Sequence, residues 1–150
     1  MKIPTDSKNT KELMQNFYLV PDYQREFVWR NEHAEQMCKD IYRQFSRDSD
    51  NSYFLGSIIL IKDPNRSNTY QVIDGQQRLT CICLLFKEIR NQLKDKSFVG
   101  QDEEWRRHLI DQIKSELYKY DEDSREKRPR LHLQYQDAAN YVESILQDDK

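Results

Sequence analysis

The sequence contains little glycine, proline or cysteine, and it has no long hydrophobic run. It holds three glycines, four prolines and three cysteines in 150 residues. Cys38, Cys81 and Cys83 are odd in number and lie in apolar helical patterns, so we expect buried thiols in a reducing compartment rather than a disulfide framework. No apolar stretch approaches the about 18 residues of a membrane span, and the N-terminal MKIPTDSKNTKEL lacks the apolar segment of a signal peptide. These absences predict a soluble, cytoplasmic protein without a membrane partner.

Charged residues are abundant but nearly balanced. They make up 33% of the chain and leave a formal net charge of −2, while the mean hydropathy is −1.01. Residues 51–100 hold seven Lys and Arg against four Asp and Glu, so the middle of the chain is locally basic and suits a phosphate-bearing ligand. Nine tyrosines, six phenylalanines and two tryptophans can still build a core. The length predicts one domain over residues 1–150.

Hydrophobic periodicity predicts an α+β fold in which a small mixed sheet is packed by helices. FYLV ends at Pro21 and predicts a strand end or an edge strand, whereas residues 53–61 and 70–73 predict a hairpin. Apolar stripes predict helices over about 31–45, 79–93, 105–117 and 138–146, and residues 120–130 read as a charged loop. We expect residues 1–95 to form an α/β core and residues 96–150 a helical extension.

The stretch VIDGQQRLT, residues 72–80, crowds hydrogen-bonding groups into one strand-to-helix junction. Gly75 permits a positive backbone angle, and the helix that follows directs its amides and its dipole at an anion. Arg78 matches a phosphate with a planar guanidinium, whereas Asp74 beside an anion demands a metal ion or an attacking water. A purely structural alternative is equally open, in which Asp74 caps the helix and pairs with Arg78.

A second polar cluster, Tyr23, Gln24 and Arg25, follows Pro21 and repeats the combination of an aromatic ring, an amide and a guanidinium. On its own it is typical of an edge strand with solvated side chains. Two such clusters in one short chain favour a shared function.

Four segments together resemble the N-terminal domain of GmrSD-type modification-dependent restriction proteins, which is related to the ParB and sulfiredoxin nucleotide-binding fold. They are PDYQREFVW at 21–29, FLGSIILI at 54–61, VIDGQQRLTCICLL at 72–85 and RPRLHLQYQDAANYVESIL at 128–146. Ordered motifs at natural spacing are more specific than one short match. The family's DGQQR and YQR motifs are both intact here.

The resemblance implies a domain that binds and hydrolyses a nucleoside triphosphate with Mg²⁺, and that couples hydrolysis to the cleavage of modified phage DNA. It implies catalytic roles for four residues of the motif, with Asp74 also a magnesium ligand: Asp74, Gln76, Gln77 and Arg78. It implies nucleotide or phosphate contacts for a further set: Tyr23, Gln24, Arg25, Gly56, Ser57, Gly75 and Thr80. No zinc and no redox cofactor are expected.

One departure from the family concerns the nuclease. Full-length relatives carry a C-terminal HNH-type metal site, whereas His33, His108 and His132 are scattered over unrelated segments. We therefore expect DNA cleavage only through a nuclease domain in cis or a partner nuclease, and we favour an excised N-terminal domain. A homo-oligomer is possible.

Three alternatives remain beside the hydrolase. One is a ParB-like module that senses nucleotide or DNA without turnover, and another is a structural domain whose polar motifs hold two loops together. The third is a sulfiredoxin-like redox site, which the sequence disfavours because glutamines replace the loop cysteine and Cys83 lies on an apolar helical face.

Overall fold

A computed structural model describes residues 4–24, 28–48, 50–95, 102–134 and 144–146. The helices are α1 (Thr10–Leu13), α2 (Asn31–Arg47), α3 (Gln76–Lys94) and α4 (Glu103–Leu117), and residues 144–146 are also helical. The strands are β1 (Phe17–Val20), β2 (Ile59–Lys62), β3 (Thr69–Asp74), β4 (Tyr118–Asp121), β5 (Glu126–Pro129) and β6 (Leu131–Leu133). Within these ranges, no helix combines the length and the hydropathy that crossing a bilayer requires.

The main sheet has the strand order β2-β3-β1-β6, and it confirms the α+β class with a small mixed sheet. β1 runs parallel to both β3 and β6, whereas β2 and β3 form the predicted antiparallel hairpin. A ParB/sulfiredoxin-like arrangement stays a prediction. The segment predicted as a helical extension also contributes β6, which pairs with β1 from Tyr18 to Val20.

β1 lies at the centre of the sheet, and all four of its residues are buried. Pro21 follows its last residue, so the strand-end alternative is correct and the edge alternative is wrong. A parallel strand covered on both faces reads as a continuous apolar run, which FYLV is. Leu79, Ile82 and Cys83 of α3 belong to the same buried core cluster as Tyr18 and Val20 of β1.

Two expectations were wrong. Residues 120–130 are not a loop, because β4 and β5 pair antiparallel from Tyr118 to Pro129. Buried Asp121 accepts a hydrogen bond from Arg128, whose guanidinium lies 4.1 Å from the ring centroid of Phe17. Cys38 is exposed on α2, although Cys81 and Cys83 are buried as predicted. Helical spacing identified the apolar stripe of α2, but Cys38 lies at the edge of that stripe that faces solvent.

Candidate functional site

The strand-to-helix junction is built around Gly75. β3 ends at Asp74 and α3 begins at Gln76, with Gly75 as the N-cap at φ 86°. A Cβ at Gly75 would lie 2.9 Å from the carbonyl oxygen of Ser57, so glycine is required both by its backbone angle and by the approach of the neighbouring segment. Because glycine has no side chain to cap the helix, and the first turn carries no acid, the positive end of the α3 dipole is uncompensated by its own residues.

Arg78 reaches from the first turn of α3 to the segment that precedes β2. Its Nη1 donates to the carbonyl oxygen of Ser57 at 3.0 Å. Gly56, at φ 107°, makes room for the guanidinium, since a Cβ there would lie 2.6 Å from Cζ of Arg78. Among the described residues no ion pair joins Arg78 to Asp74, so that part of the structural alternative is absent.

Two glutamines connect the second polar cluster and the residues that follow it to the junction. The amide nitrogen of Gln24 donates to the carbonyl oxygen of Ile73 at 3.2 Å, directly before Asp74. The amide oxygen of Gln77 accepts from the backbone nitrogens of Val28 at 2.9 Å and Trp29 at 3.2 Å. Three motif-bearing segments that are distant along the chain therefore meet at the start of α3 through their described residues: PDYQREFVW at 21–29, FLGSIILI at 54–61 and VIDGQQRLTCICLL at 72–85.

The predicted site residues differ in their access to solvent. Asp74, Ser57 and Tyr23 are exposed, while Arg78 and Gln24 are partly buried. Gln76 and Gln77 are each only 6% exposed, and Thr80 is 1% exposed, so these three side chains point into the protein. Arg25 lies outside the described residues. The roles predicted for these residues stay predictions, but Asp74 and Arg78 are the catalytic candidates that a ligand at the surface can reach.

A groove beside this junction was missed by the sequence reasoning. One part, of about 220 Å³, lies between Arg78, Leu55, Tyr53 and α2. A second part, of about 340 Å³, continues along α2 and shares Asp40 and Tyr53 with the first. Residues of α2 that line it recur at spacings of three and four, which places them on one polar face: His33, Gln36, Asp40, Arg43, Gln44 and Arg47. That spacing was visible in the sequence, but it is also typical of a solvated helix face.

The described residues fit a magnesium ion brought in by a nucleotide, but they do not fit redox chemistry at a cysteine. In the described ranges no three His, Cys, Asp or Glu side chains cluster as a metal site. The lone carboxylate of Asp74 still fits Mg²⁺ brought in by a nucleotide, since Mg²⁺ is commonly held by one or two carboxylates together with substrate phosphates and waters. Burial raises the pKa of the Cys83 thiol to about 12 and also raises that of Cys81, which keeps both thiols protonated and disfavours the redox alternative.

The family of the chain follows from its comparison with known domains. The family described as GmrSD restriction endonuclease, N-terminal domain, matches residues 6–150. The chain belongs to this family. The predicted resemblance is thereby confirmed, and the GmrSD N-terminal domain described above is part of a DNA-acting restriction protein of the phage-defence kind. No curated protein matches the chain significantly. All three motifs that meet at the start of α3 fall within the matched residues of the GmrSD N-terminal domain.

Proposed function

We propose that this domain binds a nucleoside triphosphate with Mg²⁺ at the start of α3 and hydrolyses it to regulate a restriction nuclease. The observation that carries the proposal is the meeting of three motifs around Arg78, whose guanidinium lies against Gly56 and bonds the carbonyl of Ser57. In the complete restriction protein, the regulated nuclease would act on modified DNA, either as a C-terminal domain or as a partner.

Phosphate recognition would rest on the helix start and on Arg78. The first turn of α3 presents backbone amides and a positive dipole end, and neither a capping side chain nor an acid of that turn competes with an anion. Arg78 is partly exposed and already held at one nitrogen, so its remaining N–H groups need little further ordering to bind phosphate oxygens. Arg25 would add a second cation in this proposal.

Asp74 would hold the metal ion or orient the attacking water. It is exposed, it is the last residue of β3, and it directly precedes Gly75. Its carboxylate would therefore lie beside the proposed phosphate position. Asp74 would hold the Mg²⁺ ion, which would supply positive charge to offset that of the phosphates. The carboxylate of Asp74 needs such a cation beside a triphosphate, because like charges at close range repel.

A nucleotide sensor without turnover is the second candidate. It is favoured by the burial of Gln76 and Gln77, and by the use of the Gln77 oxygen to hold backbone nitrogens. Of the four predicted catalytic residues, a ligand at the surface can then contact Asp74 and Arg78. Two side chains are few for catalysing hydrolysis.

The test measures nucleotide binding and phosphate release separately. Each of the four triphosphates is added with and without Mg²⁺, and both the melting temperature and released phosphate are recorded. At a ligand concentration of 100 Kd, binding adds about 2.7 kcal/mol to the free energy of unfolding, which corresponds to a rise of roughly 5–11 °C in Tm.

Matched variants separate the roles. Arg78→Ala should abolish binding, whereas Arg107→Ala, an equal change at an exposed position of α4, should not. Asp74→Asn should retain binding and lose phosphate release, with Asp111→Asn on α4 as its control. Binding without release in the unaltered protein would establish the sensor. Binding and release that persist in both Arg78→Ala and Asp74→Asn would reject this site.

A further inference from the structure

The groove along α2 opens beside the proposed phosphate position. Arg78 belongs to both places, since it is the third residue of α3 and its side chain also lines the part of the groove near Trp29 and Leu55. A ligand whose phosphates lie at the start of α3 would therefore extend into the groove. The two parts share Asp40 and Tyr53 in their lining; the larger, of about 340 Å³, falls at the lower end of the about 300–1,000 Å³ of small-molecule sites, and the smaller, of about 220 Å³, lies below it.

Tyr53 is the aromatic ring best placed to meet a ligand in the groove. It lines both parts and is 38% exposed, so one portion of its side chain is open to solvent. Trp29 also lines the groove, but the ring of His33 stacks on it with a centroid distance of 5.9 Å and an interplanar angle of 28°. A stacking base therefore finds an open ring at Tyr53 and an occupied face at Trp29.

Polar groups on α2 face the same space. The side-chain nitrogen Nε2 of Gln36 donates to Oδ1 of Asp40 at 2.8 Å. The same Oδ1 lies 3.8 Å from Nη1 of Arg43. Amide and carboxylate groups are the side chains that hydrogen-bond the edge of a base. The groove thus combines an aromatic ring, hydrogen-bonding groups and a neighbouring cation, which is the composition of a nucleoside site.

We infer that the groove along α2 holds the nucleoside part of the triphosphate, with the base stacked on Tyr53 and its edge facing Gln36 and Asp40. This inference rests on the proposed function, because Arg78 must hold the phosphates. It adds a substrate subsite formed by α2 and residues 53–55, none of which belongs to the DGQQR or YQR motifs.

The experiment compares a nucleoside triphosphate with inorganic tripolyphosphate, both with Mg²⁺, by calorimetry. The unaltered protein should bind the nucleotide more tightly than tripolyphosphate. Tyr53→Ala should weaken nucleotide binding by roughly 5- to 150-fold, because base stacking on an aromatic ring is worth roughly 1–3 kcal/mol, and it should leave tripolyphosphate binding unchanged. Tyr53→Phe should keep the affinity for nucleotide. Tyr42→Ala is the control, since this exposed ring lies on the opposite flank of α2.

The outcomes distinguish this inference from the proposed function. If the protein binds neither ligand, the proposed function fails and the groove has no nucleotide to hold. If it binds both and Tyr53→Ala changes neither affinity, or lowers both equally, the phosphate site stands and the groove assignment is wrong. If tripolyphosphate binds as tightly as the nucleotide, the base makes no contact and the groove is again excluded. Tyr53→Leu, which keeps bulk in the groove, should weaken nucleotide binding as Tyr53→Ala does.

Discussion

Gly56→Ala should displace the guanidinium of Arg78 from its present position. The added Cβ would lie 2.6 Å from Cζ, 2.7 Å from Nε and 2.9 Å from Nη1, all closer than real contacts of a Cβ. The arginine is flexible and would move, at the cost of its bond to Ser57. Alanine at φ 107° adds backbone strain of about 1–3 kcal/mol. The lost bond adds about 1 kcal/mol, which is below the range for a charged donor because Arg78 is partly exposed.

The free energy of unfolding should therefore fall by about 2–4 kcal/mol, which lowers Tm by roughly 4–16 °C. Urea denaturation of four proteins completes a double-mutant cycle: the unaltered chain, Gly56→Ala, Arg78→Ala and the double variant. In the Arg78→Ala background the substitution should cost only the strain, so the cycle should give a coupling of about 1 kcal/mol.

The control for this cycle replaces Arg78→Ala with Arg107→Ala, whose exposed side chain lies on α4. The cost of Gly56→Ala should then be unchanged. Additivity of Gly56→Ala with Arg78→Ala, within about 0.3–0.5 kcal/mol, would refute the claim that this glycine exists to seat the arginine. Gly56→Ala should weaken triphosphate binding, because a displaced guanidinium no longer faces the start of α3. Arg78→Ala, which removes the guanidinium, should weaken it more.

Three further predictions concern buried polar groups. Thr80→Val should raise the free energy of unfolding by about 1 kcal/mol in urea denaturation and leave nucleotide affinity unchanged, because the Thr80 hydroxyl is buried and lacks a partner among the described residues. Gln77→Leu should cost about 1–3 kcal/mol through two lost hydrogen bonds and speed amide exchange at residues 28 and 29; unchanged exchange would contradict this tie. Burial raises the pKa of Asp121, but hydrogen bonds, including one from Arg128, outweigh it and hold that pKa below its ordinary value. The stability from Asp121 is therefore present above about pH 4 and lost as pH falls through the folded pKa, so acid unfolding should be less steep in Asp121→Asn.

Sequence patterns predicted the elements whose signal is local. β1 is a continuous apolar run, the β2–β3 hairpin has turn residues between two apolar stretches, and α3 has a broad apolar face. The β4–β5 hairpin could not be predicted in this way, because its strands are rich in charge. Its side-chain contacts include the hydrogen bond from Arg128 to buried Asp121 and the contact of Arg128 with Phe17, and these last two residues are 111 positions apart along the chain. No local window contains both Arg128 and Phe17.

The motifs predict a site at the start of α3, which stays a prediction, and they did not predict which way each residue points. Gln76 and Thr80 are one helical turn apart at the start of α3, so they share a face, and that face is buried. α3 is apolar around much of its circumference, so Gln76 and Thr80 enter the core with its apolar residues, whereas Arg78 in the same turn stays partly exposed. The burial of this face can be derived from the sequence only when the position of the sheet relative to the helix is known.

Residues of the DGQQR motif have two different roles in the structure: one stabilises the fold, and another extends towards the groove. Gln77 fixes the segment at residues 28 and 29 and is buried, whereas Arg78, the next residue, extends across Gly56 to the groove. A helix rotates by about 100° per residue, so neighbours in the motif must face different surroundings. The polar character of such a motif therefore does not imply that every polar residue in it contacts a ligand. Here one glutamine joins two segments of the fold, and that junction sets the position from which the arginine can act.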